Sequence, residues 1–117
     1  MKRTLGKSDR IARRADLTRV FRNGRSAADA AMRLRVCAND LGRSRMAVVV
    51  STRHGPAVRR NRIKRLAREA FRACRDQLPG GYDYVLQPAI GAETSLAGLI
   101  SSLRALAGRL IRRRTRE

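Results

Sequence analysis

Acidic side chains are scarce in this sequence: nine Asp and Glu stand against 28 Lys and Arg, with a single histidine. Hydrolysis of a phosphodiester by protein groups needs carboxylates clustered around metal ions, or histidines placed for proton transfer. The acids here, Asp9, Asp16, Asp29, Asp40, Glu69, Asp76, Asp83, Glu93 and Glu117, are scattered singly, without DxD or ExxE spacing. His54 lies just before a helix, where a loop or packing role is expected. There is no glycine-rich phosphate loop and no nucleophile triad. No catalytic residue is assigned, and the protein alone is not expected to cut a nucleic acid.

Cysteine is also rare. Cys37 and Cys74 form no CxxC pair, so neither a zinc site nor a disulfide framework is indicated, and both are expected as reduced, half-buried small hydrophobes. Long apolar runs are missing. The run Met46–Val50 is far below the roughly 18 residues of a membrane span, and the opening Met1–Gly6 leads into no signal-peptide core. The expected location is the cytoplasm, with no membrane partner. Tryptophan is absent and aromatics make up 3%, which leaves few platforms for stacking on bases.

What the sequence has is positive charge on a foldable frame. The net charge is +19 over 117 residues, while 43% of residues are hydrophobic, too many for a disordered basic tail. This length suits one domain, residues 1–117, expected to be a monomer because like charges repel. Residues 1–12 and 112–117 read as flexible basic tails. Nearly all the cations are arginines, whose planar fork matches phosphate oxygens better than a lysine does. Nucleic acid is the expected partner.

Periodicity places the elements. Leu17, Val20 and Phe21 mark a first helix over 13–23, with Asn23-Gly24 as a left-handed stop. Met32, Leu34, Val36 and Ala38 alternate with Arg33, Arg35, Cys37 and Asn39, the pattern of a half-buried strand. A second strand over 45–51 follows the turn residues Asn39-Asp40-Leu41-Gly42, which predicts an antiparallel hairpin. Residues 25–28 add a short strand. After Gly55-Pro56 a helix over 57–77 buries Ile63, Leu66, Ala67, Ala70, Phe71 and Cys74. A strand over 82–86 and a last helix capped by Thr94 or Ser95 complete the chain. Tyr82 and Tyr84 share one strand face and read as core. The order helix, strands, helix, strand, helix predicts a single α+β domain, a two-layer sandwich with a sheet of about four strands.

The middle helix carries the functional signal. At about 100° per residue, Asn61, Lys64, Arg65, Arg68, Arg72 and Arg75 fall within one arc opposite the apolar stripe. Arg60 and Arg62 flank it. An ordinary solvated helix would interleave acids with these bases, yet Glu69 is the only acid between Ala57 and Arg75. The face reads as a rail for phosphates, which binds by releasing their counterions.

The stretch Gly55-Pro56-Ala57-Val58-Arg59-Arg60-Asn61-Arg62-Ile63-Lys64-Arg65-Leu66, continuing through Arg68-Glu69-Ala70-Phe71, resembles the signature of the bacterial ribonuclease P protein subunit. Asp16-Leu17, Val20-Phe21-Arg22-Asn23-Gly24 and Val50-Ser51 resemble the same family. The resemblance implies a cofactor protein, one per catalytic RNA, that helps this RNA remove the 5′ leader of precursor tRNA. It implies that Arg59, Arg60, Asn61, Arg62, Lys64, Arg65, Arg68 and Arg72 hold the RNA subunit. It also implies that a cleft between the first helix and the sheet takes the leader, at Leu17, Phe21, Arg33, Arg35, Val49, Ser51 and Arg53. Magnesium is expected with the RNA subunit, and no cofactor on the protein. The family's strand–helix–strand crossover is left-handed, against the general preference.

Strand alternation supports such a cleft independently, since burying Met32, Leu34 and Val36 sends Arg33 and Arg35 to the other face. Phe21 is either a stacking platform or core. Leu17 and Arg35 stand where relatives often carry aromatics, so Arg35 is expected to lie over a base in their place. The competing reading is a structural RNA-binding protein, such as a ribosomal component, which needs no cleft. A DNA regulator is disfavoured because no helix precedes the basic one at helix-turn-helix spacing.

Overall fold

The computed structural model describes residues 9–91 and 94–111. Its elements are α1 (Arg14–Asn23), β1 (Arg25–Ala28), β2 (Met32–Ala38), β3 (Arg45–Val48), α2 (Ala57–Cys74), β4 (Tyr82–Pro88) and α3 (Leu96–Leu110). The strands form one mixed sheet in the order β1-β2-β4-β3. β2 runs antiparallel to both neighbours, β1 and β4, whereas β3 and β4 are parallel and joined through α2.

This order corrects the expected hairpin, because β4 lies between β2 and β3. Asp83, Tyr84, Val85 and Leu86 are all fully buried, and a strand buried on both faces belongs inside a sheet rather than at its edge. The turn chemistry is nevertheless present. The Asn39 side chain accepts from the Leu41 N–H at 2.8 Å and donates to the Arg43 carbonyl at 3.0 Å, with Asp40 left-handed at φ 59°. The loop it shapes passes over the entry to β4, where the Asn39 N–H meets the Gly81 carbonyl at 2.9 Å.

β3 is also shorter than the expected 45–51. Val49 still donates to Leu86 at 2.9 Å, but Ser51 caps a 3-10 turn, Thr52–His54, which leads into α2. Of the segment expected to be loose, residues 9–12 are tied down. Arg10 bridges to Met46, Ile11 donates to the Met46 carbonyl at 2.9 Å, and Asp9 pairs with Arg75 at 2.6 Å. Residues 1–8 and 112–117 lie outside the described residues.

The main core sits between one sheet face and the stripes of α2 and α3. Ala67, Ala70, Phe71, Leu99, Leu103 and Leu106 pack against Met32, Leu34, Met46, Tyr84 and Leu86. Full burial of each large side chain contributes about 1.5–3 kcal/mol. Tyr84 is core, its hydroxyl donating to the Pro79 carbonyl at 2.6 Å, and Tyr82 packs beside it. Cys37 is half-buried as expected; Cys74 is completely buried, because the helix stripe places it over the sheet. Ser95, one of the two expected caps, accepts from the Gly98 N–H at 3.0 Å.

On the opposite face α1 covers a smaller cluster, Ile11, Val20 and Val85, flanked by Leu17, Cys37, Ala47 and Val49. Gly24 ends α1 in extended backbone, φ −79° and ψ 167°, rather than the expected left-handed conformation. Its glycine is required by space instead. A Cβ there would lie 2.5 Å from the Val20 carbonyl oxygen and 2.6 Å from that of Val36, so only glycine lets the helix end touch β2.

Candidate nucleic-acid interface

The α2 residues expected to contact RNA divide into three groups. Asn61, Lys64, Arg65, Arg68 and Arg72 line one open groove of about 530 Å³, with Glu69 the one acid in it. Arg59 and Arg62 turn to the other side, where they line a small hollow with Ile63, Leu66 and Thr94. Arg60 is held at the helix start, its Nε donating to the Gly55 carbonyl at 3.1 Å. Arg75, within the expected arc, is neutralised by Asp9.

Sequence reasoning missed one member of the groove. Arg10, assigned to the tail, lines it as well, because its bridge to Met46 carries it along the edge of β3. Burial, and then the Arg10 charge, lower the pKa of Arg68 from its ordinary value. Cations facing one another with a single acid nearby form a surface that an anion would relax. Arg10 also lines a second hollow of about 600 Å³, with Arg13, Arg19, Arg43 and Arg45 and the acids Asp16 and Asp40 among its walls. Positive surface therefore runs from α2 around the β3 edge to the side of the sheet that carries α1.

The start of α2 is anchored by His54. Its Nδ1 accepts the Ser51 N–H at 3.0 Å, which leaves the ring proton on Nε2, 2.8 Å from the Pro88 carbonyl. This is the expected packing role, and it fixes the basic helix to the end of β4.

On the α1 side of the sheet, some of the residues expected to line a cleft come together. Arg33 and Arg35 project there from β2, opposite the faces of Leu34 and Val36, and the Arg33 Nη1 donates to Ser26 at 3.0 Å. Leu17 and Val49 are half-buried in the small cluster beneath α1. Phe21 is 38% exposed, which removes it from the core. Arg35 departs from expectation: its guanidinium lies 4.5 Å from the centre of the Phe21 ring, so it covers a protein aromatic rather than standing open to a base. Ser51 and Arg53 belong to the 3-10 turn beyond β3 and do not continue the strand face.

The join between α1 and the sheet is made by a residue that sequence reasoning did not single out. Asp83 is fully buried. Its Oδ2 accepts from Arg19 of α1 at 3.0 Å and from Arg45 of β3 at 2.7 Å, while Oδ1 accepts from Asn39 and from the Arg45 Nε, each at 2.8 Å. Arg45 also reaches Asp16 of α1 at 3.5 Å. The hydrogen bond that Arg45 donates to Asp83 raises the Arg45 pKa against the opposing effect of burial. One carboxylate thus ties α1 to the sheet.

Among the described residues no three His, Cys, Asp or Glu side chains come together to hold a metal ion. No described helix is long and apolar enough to cross a membrane.

A family model described as Ribonuclease P matches residues 5–116. The ribonuclease P protein component of Pelotomaculum thermopropionicum is 43% identical over 77 residues, 66% of this chain and 69% of the relative. That of Syntrophus aciditrophicus is 38% identical over 85 residues, 73% of this chain and 71% of the relative. Among solved structures, the ribonuclease P protein of Thermotoga maritima superposes with a TM-score of 0.78 at 28% identity, covering 87% of this chain and 97% of its own. The Staphylococcus aureus protein gives 0.75 at 28% identity, covering 86% and 93%.

Proposed function

The chain belongs to the ribonuclease P protein family, and from that premise we propose that it is the RNA-binding subunit of a tRNA-processing ribonucleoprotein in the cytoplasm. It joins one catalytic RNA through α2 and receives the 5′ leader of precursor tRNA in the cleft beside α1. The observation that carries this reading is the placement of basic side chains on both sides of one sheet, with the α2 groove and Arg10 on one and Arg33 and Arg35 beside α1 on the other. Such a body can neutralise two RNA segments at once.

The contribution is positioning and electrostatics. The active site and its magnesium ions are assigned to the RNA subunit. By covering phosphates of RNA subunit and leader together, the protein lowers the magnesium needed for assembly. A mature tRNA has no leader, so a cleft that grips the leader favours substrate over product. Holding the substrate in register reduces the entropic part of the barrier without supplying a reacting group.

The test is precursor-tRNA cleavage at low magnesium with protein alone, ribonuclease P RNA alone, and the two together. Leader removal by the pair only is the expected result. If the protein binds RNA tightly and changes nothing, the structural RNA-binding reading replaces this one.

A further inference from the structure

The cation in the cleft is set in a fixed pose. Arg35 sits on β2, its Nε donates to the Gln87 Oε1 of β4 at 2.9 Å, and its guanidinium carbon lies over the Phe21 ring of α1, 4.5 Å from the ring centre. Among the described residues these are its only partners. Three elements therefore orient the group and leave both terminal NH2 groups without an acceptor among those residues. An arginine normally loses much rotamer freedom when it grips an anion; here that freedom is already removed before the ligand arrives.

The exposed edge of a guanidinium offers two parallel N–H donors, the geometry of a bidentate contact to phosphate oxygens. Arg33 lies two residues away on the same face, about 6.7 Å along the strand from the usual rise, and keeps one Nη2 beyond its bond to Ser26. The pair lies in line along β2 and is spaced for neighbouring phosphates of one extended strand. Contacts to phosphate fix position and carry no base information.

We propose that Arg35, backed by Phe21 and steered by Gln87, is a phosphate fork, and that with Arg33 it grips the backbone of the leader rather than its bases. The proposal rests on the cleft reading given above. It makes leader recognition indifferent to sequence and sensitive to salt, and it makes Phe21 and Gln87 positioning residues.

The experiment measures affinity of the holoenzyme, protein plus RNA subunit, for precursor tRNAs with altered leaders. One series carries a single uncharged methylphosphonate linkage walked along the leader; another carries single abasic sites. The expected result is a loss of roughly tenfold at one or two adjacent linkages, the size set by charged hydrogen bonds, with abasic sites giving no loss. Arg35→Gln flattens the linkage walk, and Arg35→Tyr moves the sensitivity from linkages to bases. Losses at abasic sites with none at uncharged linkages overturn the proposal. Equal affinity for leaderless and precursor tRNA instead removes the cleft reading itself, and the proposal with it.

Discussion

Arg45 meets Asp83 through two nitrogens, Nε on Oδ1 at 2.8 Å and Nη2 on Oδ2 at 2.7 Å. The fork is shared, because Arg19 of α1 reaches the same Oδ2. The contact therefore joins three elements, and its value depends on all its donors being present. Asp83→Ala leaves the half-buried Arg45 without its main acceptor and costs about 1–3 kcal/mol, the usual result of stranding a polar group whose partner is removed. Arg19→Ala costs less, since the side chain of Arg19 is 34% exposed. Urea unfolding of the two variants checks the order; equal losses would show that the carboxylate does not organise the site.

Gly24→Ala places a methyl within 2.6 Å of two backbone carbonyl oxygens. Neither can withdraw without shifting α1 or β2. The expected destabilisation is about 1–3 kcal/mol, as for other forced overpacking. Thermal unfolding measures it, and a neutral substitution would mean that the end of α1 moves freely against the sheet.

Asp29 supplies a pH dependence. Burial pushes its carboxyl up, but bonds from the Ser102 side chain and from the Ala31 and Met32 N–H groups, with the Arg109 charge, outweigh this and hold it below 3.8. A carboxylate with a depressed folded value stabilises the protein above its unfolded value, and this stability is lost as pH falls through the folded one. Asp29→Asn is therefore less stable than the parent at neutral pH. The gap closes as pH is lowered from 3.8 through the depressed value. Unfolding midpoints at stepped pH test this; a gap independent of pH would assign the loss to the turn alone.

On the α2 face, Arg65→Ala with Arg68→Ala weakens binding to the RNA subunit and flattens its dependence on salt. The slope falls by about 0.9 log unit for each duplex phosphate that is no longer neutralised, or about 0.7 for a single strand. Adding Arg10→Ala lowers it again, because Arg10 lines the same groove. Filter binding across a salt series gives the slopes, and an unchanged slope would move the RNA surface off this helix.

Much of this could be read from the chain. The stripe of α2, the cap at Ser95 and the alternation of β2 follow from local periodicity and side-chain chemistry, which neighbours in sequence determine. The pairing of β2 with β4 could not be read this way. Good turn residues at 39–42 suit a hairpin equally well, and the choice was decided by how completely β4 is buried. Asp83 was hidden for a similar reason: an acid between two tyrosines looks like an outward position until Arg19, Asn39 and Arg45 converge on it. Arg10 was lost in a run of basic residues whose spacing carries no period, and Arg35 looked open because its partner, Phe21, belongs to another element.

The place of β4 in the sheet has a consequence for biosynthesis. A nascent chain makes β2 and β3 with facing edges open, and the strand that fills the gap arrives only with Tyr82–Pro88. Until then Asp83 is missing, Arg19 of α1 lacks its carboxylate partner, and the Pro88 carbonyl that holds His54 does not exist. Contacts this distant in sequence form late and slowly. Both basic surfaces are thus completed by the insertion of β4, and a chain that stops short of it carries its arginines without the frame that gives them direction.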